Sequence, residues 1–242
     1  MEKFKYVGLV TLLFTLYSQL SSAQIKQEYD YTSEVIWGIS KNTNGGLIGG
    51  FILKHGREIN NGLFEIFGVE LSNVKHPKEQ RTQTANGSTF IWGKQNYLYT
   101  VRLQYGREKI LFKKAPQQGV QINAHLTLGP TIGLVTPYYI SEALGPFESR
   151  SVPFDPDVHV NQRNIIGTGR LFQGLGEADV KIGANLKSAL IFEFGTFKRN
   201  VTGFEVGFML EAFTEEIVIV PQADNRAIFP SAFITLFYGS RK

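Results

Sequence analysis

The sequence contains no cysteine. Disulfides therefore cannot staple a small exported fold, and no cysteine is available to carry the lipid of a lipoprotein. After residue 17 no apolar run approaches the roughly 20 residues that a membrane helix needs. The basic residues do not cluster, and the net charge of +4 is mild, so nothing in the charge pattern points to nucleic acid. No glycine-rich nucleotide loop, zinc-protease helix or GxSxG elbow is present. No cofactor is expected. Glycine (25 residues) and phenylalanine (19) are plentiful, which favours curved β structure with aromatic girdles.

Lys3 and Lys5 precede an apolar run from Tyr6 to Tyr17, followed by small and polar residues up to Ala23. A basic start, a run of about a dozen apolar residues and a small-residue end make a secretory signal peptide. Residues 1–23 are read as that peptide, with an anchoring helix as the alternative, and 24–242 as one domain. An exported chain with no later apolar helix is either soluble or a barrel that crosses a membrane with strands.

The stretch from Ala178 to Phe194 chooses between these. Val180, Ile182, Leu186, Leu190, Phe192 and Phe194 fall on one parity, and Asp179, Lys181, Asn185, Lys187 and Glu193 on the other. Successive strand side chains point to opposite faces, so this is one strand with an apolar and a charged face. It is roughly three times the usual strand length in soluble proteins. In a membrane barrel the apolar face meets lipid and the charged face lines the lumen.

Seven further strands are expected. They lie near Glu34–Thr43, 47–55, Leu63–Val74, Phe90–Tyr105, 119–139, 201–218 and Ala227–Tyr238, with turn signals at Asn44-Gly45-Gly46 and Asn60-Asn61-Gly62. Pro130 is expected to bend its strand. Arg107 to Gln118 reads as a connection, and about 141–176 as a long irregular outer loop. The predicted fold is all-β: an eight-stranded antiparallel transmembrane up-and-down β-barrel with a side-chain-filled polar lumen. A soluble β-sandwich is the alternative. Both termini are expected on the periplasmic side. Four strands end in a ring, a glycine and a cation: His55-Gly56-Arg57, Tyr105-Gly106-Arg107, Phe194-Gly195 with Lys198, and Tyr238-Gly239 with Arg241. These read as an interfacial ring, a turn and a headgroup-level charge.

An eight-stranded barrel has little room inside beyond its own side chains. The expected lumen network is Glu70, Arg102, His125, Lys181, Lys187, Glu193, Glu205 and Glu211, joined by Glu34, Lys54, Gln121 and Asn123. Buried charges must be paired or hydrated, so a closed polar plug is favoured over a narrow channel. His125 and Thr127 share a strand face, the spacing of a base beside a hydroxyl nucleophile. The lipid-hydrolase pattern has His-x-Ser followed by Asn, however, and this chain has His125-Leu126-Thr127-Leu128; no catalytic residue is assigned. Asp155, Asp157 and His159 form a cluster able to hold a divalent cation, but an Asp-Pro pair more often simply makes a turn. No metal ligand is assigned.

The segments Phe154-Asp155-Pro156-Asp157-Val158-His159, Phe172-Gln173-Gly174-Leu175-Gly176-Glu177, Phe192-Glu193-Phe194-Gly195, Glu205-Val206-Gly207 leading to Glu211-Ala212-Phe213, and the closing Phe237-Tyr238-Gly239-Ser240-Arg241-Lys242 resemble a family of small outer-membrane barrel proteins of the Bacteroidota. The resemblance covers most of the mature chain. It implies a non-enzymatic accessory subunit of a larger outer-membrane complex, of the barrel-assembly or type IX secretion kind. The partners expected are outer-membrane lipids and other outer-membrane proteins or lipoproteins. The outer-loop residues Phe154, Asp155, Asp157, His159, Phe172 and Glu177 are the candidate contact points. A standalone barrel binding surface ligands or serving in adhesion is the alternative, followed by a lipid A-modifying enzyme and a narrow channel.

Overall fold

The structure, a computed structural model, describes residues 31–46, 49–84, 86–114, 119–145, 148–159, 161–170, 172–194 and 199–242. The expected signal peptide, and Gly195 with Lys198, lie outside the described residues. The strands in chain order are β1 (Ser33–Asn42), β2 (Gly50–Asn60), β3 (Leu63–Val74), β4 (Arg81–Gln83), β5 (Thr89–Ile91), β6 (Asn96–Phe112), β7 (Gln121–Pro137), β8 (Tyr139–Ala143), β9 (Ser149–Pro153), β10 (Ile165–Thr168), β11 (Asp179–Phe194), β12 (Asn200–Ile217) and β13 (Arg226–Arg241).

Eight of them close a barrel in the order β1-β13-β12-β11-β7-β6-β3-β2, every pair antiparallel. β1 bonds to both β2 and β13, so no barrel edge is left open. The remaining strands form a cap at one mouth: a sheet in the order β10-β8-β9 and the small pair β4-β5. Both ends of the barrel chain, Ser33 and Arg241, lie at the other mouth, where Lys242 N donates to Ser33 O at 2.9 Å.

Alternation sorts the wall into two faces. Leu128, Leu186, Phe208 and Leu236 point outward, and Phe208 is 73% exposed. An exposed apolar surface of this extent is stable only against lipid or another apolar surface. The inward parity is buried and largely polar in the middle of the barrel. Apolar clusters flank it: Val74, Leu98, Val135, Phe213, Ile217, Ile219, Val220 and Phe229 beneath the cap, and Ile36, Ile191, Val201 and Phe237 toward the terminal mouth.

Two expectations are corrected. β6 begins at Asn96 and runs to Phe112, so Arg107–Phe112 is strand and not connection; Thr89–Ile91 is the separate β5. Three described glycines of the ring-glycine-cation endings, Gly56, Gly106 and Gly239, are not turn residues. They lie inside strands on the lumen side, because the residue after an outward ring must point inward. Space explains all three. A Cβ on Gly56 would stand 3.0 Å from Glu34 Cγ, one on Gly106 2.6 Å from Thr127 Cα, and one on Gly239 2.8 Å from Ile36 Cγ1. The cations then divide. Arg57 and Arg107 stay outside, at 3.5 and 3.0 Å from Glu65, whereas Arg241 turns into the lumen.

The wall makes a direct prediction. Leu128 is 60% exposed and central in β7. Leu128→Arg is expected to lower unfolding stability in bilayer vesicles by about 2–4 kcal/mol, the cost of a midplane arginine, as read by urea titration of intrinsic fluorescence.

Candidate functional site

Each barrel strand sends polar side chains inward, and the lumen is too narrow for them to stay apart. They form a continuous ladder. At the terminal mouth Arg241 Nε donates to Glu34 at 2.9 Å and its Nη2 to Glu193 at 2.7 Å. Asn123 donates to both Glu193 (2.9 Å) and Glu108 (2.7 Å), and Gln121 donates to Asn123. Lys54 lies 3.7 Å from Glu108 and 3.3 Å from Glu205. Lys187 spans Glu205 (3.1 Å) and Glu70 (3.3 Å). Arg102 ends the ladder, bonded to Glu70 at 2.7 Å and in bidentate fashion to Glu211 at 2.8 and 2.9 Å. Lys187 and Lys54 also lie over the Phe233 and Phe237 rings, at 4.4 and 5.6 Å.

Of the residues expected in this network, Glu70, Arg102, His125, Lys187, Glu193, Glu205 and Glu211 are brought together and buried. Lys181 is not among them. It has the same parity as Lys187 but lies three alternations nearer the cap. There the wall opens, and it pairs with the exposed Glu215 at 2.9 Å. Glu108 and Arg241 belong to the ladder, although the sequence reading assigns neither to the lumen. Strand alternation carried two residues past Arg102–Gln104 reaches Gly106 and then Glu108, but the outward Arg107 and Lys109 disguise that segment as a loop. The sequence pattern puts Arg241 among the headgroup charges, whereas in the structure it pairs with Glu34 and Glu193.

His125 Nδ1 lies 3.2 Å from Glu108 Oε2, and its Nε2 lies 3.4 Å from Thr127 Oγ1. Hydroxyl, imidazole and carboxylate thus stand in the row used by nucleophilic hydrolases. His125 is 3% exposed and Thr127 0%, so no substrate carbonyl reaches them. In this position the row is a hydrogen-bonded part of the plug.

The cap is a second small structure with its own core of Phe90, Tyr138, Ile140, Phe154 and Ile165, backed by Trp92 and Tyr97. Trp92 meets Phe154 edge-on at 5.6 Å, and Phe154 stacks on His159 at 5.5 Å. Phe154 and His159 are therefore cap core and not contact points; burying an aromatic residue stabilises the loop more than exposing it. Asp155 Oδ1 accepts from Asp157 N at 2.9 Å, and His159 N donates to Asp155 O. This is a turn, with Asp155 and Asp157 exposed at its surface. Among the described residues no group of acids and histidines is placed to hold a metal ion. Glu177 is exposed and accepts from Tyr139 Oη at 2.7 Å. Phe172 is 54% exposed.

The cap is tied to the barrel at Tyr138 and Lys94. Tyr138 N donates to Gln95 O at 2.7 Å, Phe154 N donates to Tyr138 O at 2.7 Å, and Ile91 N donates to Tyr138 Oη at 2.9 Å. Burial pushes the Tyr138 phenol up to about 12. Lys94 lies 2.6 Å from Glu79; burial holds its ammonium below the ordinary lysine range, and Glu79 opposes that shift. Over the outer face of β8 and β9 lies an open cleft of about 690 Å³ that includes Ser141, Ser151, Arg150, Arg170 and Phe172.

No protein-family model matches the chain, and no curated protein matches it in sequence. Among solved structures it is similar to Neisserial surface protein A, at 10% identity over 88% of this chain and 97% of that one, with a TM-score of 0.39. It is also similar to Ail, the attachment invasion locus protein of Yersinia pestis, solved in complex with the heparin analogue sucrose octasulfate. That likeness is at 14% identity over 88% of this chain and 100% of that one, with a TM-score of 0.37.

The ladder yields a contrast of signs. Arg102→Met strands the buried Glu211 and is expected to cost about 3–5 kcal/mol of unfolding free energy. Arg102→Met combined with Glu211→Leu removes the stranded charge, leaves Glu70 its contact with Lys187, and is expected to recover a large part of that loss. Denaturant titration of both variants in the same vesicles measures the difference.

Proposed function

We propose that the chain is an outer-membrane barrel, with both termini on the periplasmic side, that works by binding at its outer cap and neither conducts through its lumen nor catalyses a reaction. One observation carries this reading: the lumen is filled from Arg241 to Arg102 by paired charges and closed by apolar clusters, whereas the cap is independently cored and opens a polar cleft outward. A chain that filled its interior and kept a folded external sheet has its usable surface outside. The apolar wall supports the membrane setting.

A second reading is favoured by the wall itself. The small side chains Ala124, Ser188 and Ala232 leave an apolar groove of about 630 Å³ on the outer face, with Arg107 and Lys109 at its margin. Such a groove fits an accessory subunit held laterally in a larger outer-membrane complex, of the barrel-assembly or type IX secretion kind, among lipids and neighbouring membrane proteins or lipoproteins.

The two readings separate in one experiment. Residues 140–176 are replaced by a short Gly-Ser linker, and folding is checked by the heat-dependent gel shift of the barrel. On the cap reading, the shortened chain stays folded and membrane-bound but loses the envelope components captured by the full chain in mild detergent. Capture that survives the replacement, and is lost on Ser188→Trp in the groove, would overturn the cap reading in favour of lateral assembly.

A further inference from the structure

The cap cleft has a composition that the barrel function alone does not require. The register of β8 and β9 sets Ser141 opposite Ser151, and alternation brings Ser149 to the same face. β10 adds the carbonyl of Thr168, which accepts from Ser141 Oγ at 3.3 Å. The cleft floor is thus a row of serine hydroxyls. Gln173 crosses this row: its Oε1 accepts from Ser151 Oγ and from Arg170 N, each at 3.0 Å. Gly169 keeps the floor open, since a Cβ there would stand 2.5 Å from Tyr139 Cβ and 2.8 Å from Gln173 Oε1.

One cation borders the row. Arg150 is not part of it: alternation puts Arg150 and Glu142, its hydrogen-bond acceptor at 3.1 and 3.0 Å, on the opposite face of the sheet with Ile140 and Val152. Arg170 is exposed and has no ion-pair partner among the described residues. Phe172 completes the cleft. Its φ of 61° is the one positive value at a non-glycine position among the described residues. A bulky side chain is disfavoured in the left-handed region, and strain of this kind persists where the surrounding structure holds it. Here the hydrogen bonds Gln173 N to Arg170 O and Leu175 N to Phe172 O close the turn. The result is a large ring held half in water, 5.8 Å from Tyr99, where burial would have been the cheaper course.

A row of hydroxyls, an amide, a cation and an exposed ring match one ligand chemistry. The ring covers the C–H face of a sugar, the hydroxyls and amide exchange hydrogen bonds with its hydroxyls, and the guanidinium takes carboxylate, sulfate or phosphate. We propose that this cleft binds an anionic oligosaccharide, with Phe172 as the stacking platform and Arg170 as the anion contact. The proposal rests on the cap being the working surface and names the ligand class of that surface. The same chemistry is found in the charged saccharide of the cell's own surface and in soluble acidic glycans from outside.

The test uses the full chain folded in detergent micelles, titrated with hexagalacturonate, dextran sulfate, maltohexaose and purified lipopolysaccharide from the producing cells. Binding of at least one anionic probe about tenfold more tightly than maltohexaose is expected, weakening as salt rises. Phe172→Ala and Arg170→Gln are each expected to lower that affinity about tenfold while the heat-dependent gel shift is unchanged. Arg163→Gln, an exposed cap arginine outside the cleft, is expected to have no effect. Binding of lipopolysaccharide alone assigns the site to the cell's own surface, and binding of the soluble acids alone to an outside glycan. Equal affinity for maltohexaose, or an equal loss in Arg163→Gln and Arg170→Gln, would overturn the inference. So would the absence of all saccharide binding in a chain that still captures its partner through residues 140–176; that last result would leave the cap reading standing. Failure of cap-dependent capture and of saccharide binding together would remove both.

Discussion

Charge pairing inside a narrow, poorly hydrated lumen is the constraint on which the rest of this molecule depends. A buried carboxylate or ammonium without a partner costs several kcal/mol, and β-alternation forces one face of every barrel strand inward. The ladder answers both demands. Arg241, Asn123, Lys54, Lys187 and Arg102 each join acids contributed by different strands. Such pairs add little net stability over a well-packed apolar core. They do fix the register: a one-residue slip of β11 would send Lys187 and Glu193 into the apolar wall and Leu186 and Phe192 into the lumen. The ladder is thus better understood as a device that selects one pairing among many.

That same plug determines where function can reside. His125, Thr127 and Glu108 stand at distances suited to acyl chemistry, yet their burial makes them unreachable. Proximity of reactive groups is insufficient when no path leads to them. The lumen is committed to holding the wall, and the wall to meeting lipid or a neighbour. On the proposed reading the cap is the surface that faces solutes, and its aromatic core holds that surface in place.

The parts legible in the sequence were those with an uninterrupted period of two. β3 was read at its observed bounds, and Asp179–Phe194 within one residue, because apolar and polar side chains alternate there without exception over most of their length. The end of β6 was missed because Arg107 and Lys109 point outward near the terminal mouth; a charged outward face has no contrast with a charged inward one. Lys181 has the parity of a lumen residue, and parity reports the face but not the depth. The cap sheet was hidden for another reason. β8, β9 and β10 are four or five residues long, and the exposed Ser149–Pro153 carries no apolar stripe, so no periodicity existed to be read. The left-handed conformation of Phe172 is set by the turn around it, and nothing in the residue type announces it.

Rigidity links the two halves of the molecule. Tyr138 is fully buried where β7 passes into β8, and it bonds through N, O and Oη to three different segments. The cap therefore does not hang from a hinge; it is anchored in the last turn of the barrel wall, and the Lys94–Glu79 pair closes the same rim. A ring kept exposed in a strained backbone is useful only if its place is fixed before a ligand arrives, since ordering a loose loop on binding would consume much of the affinity gained. The paired lumen holds the strand register, the register fixes the end of β7, and the end of β7 through Tyr138 fixes the cap.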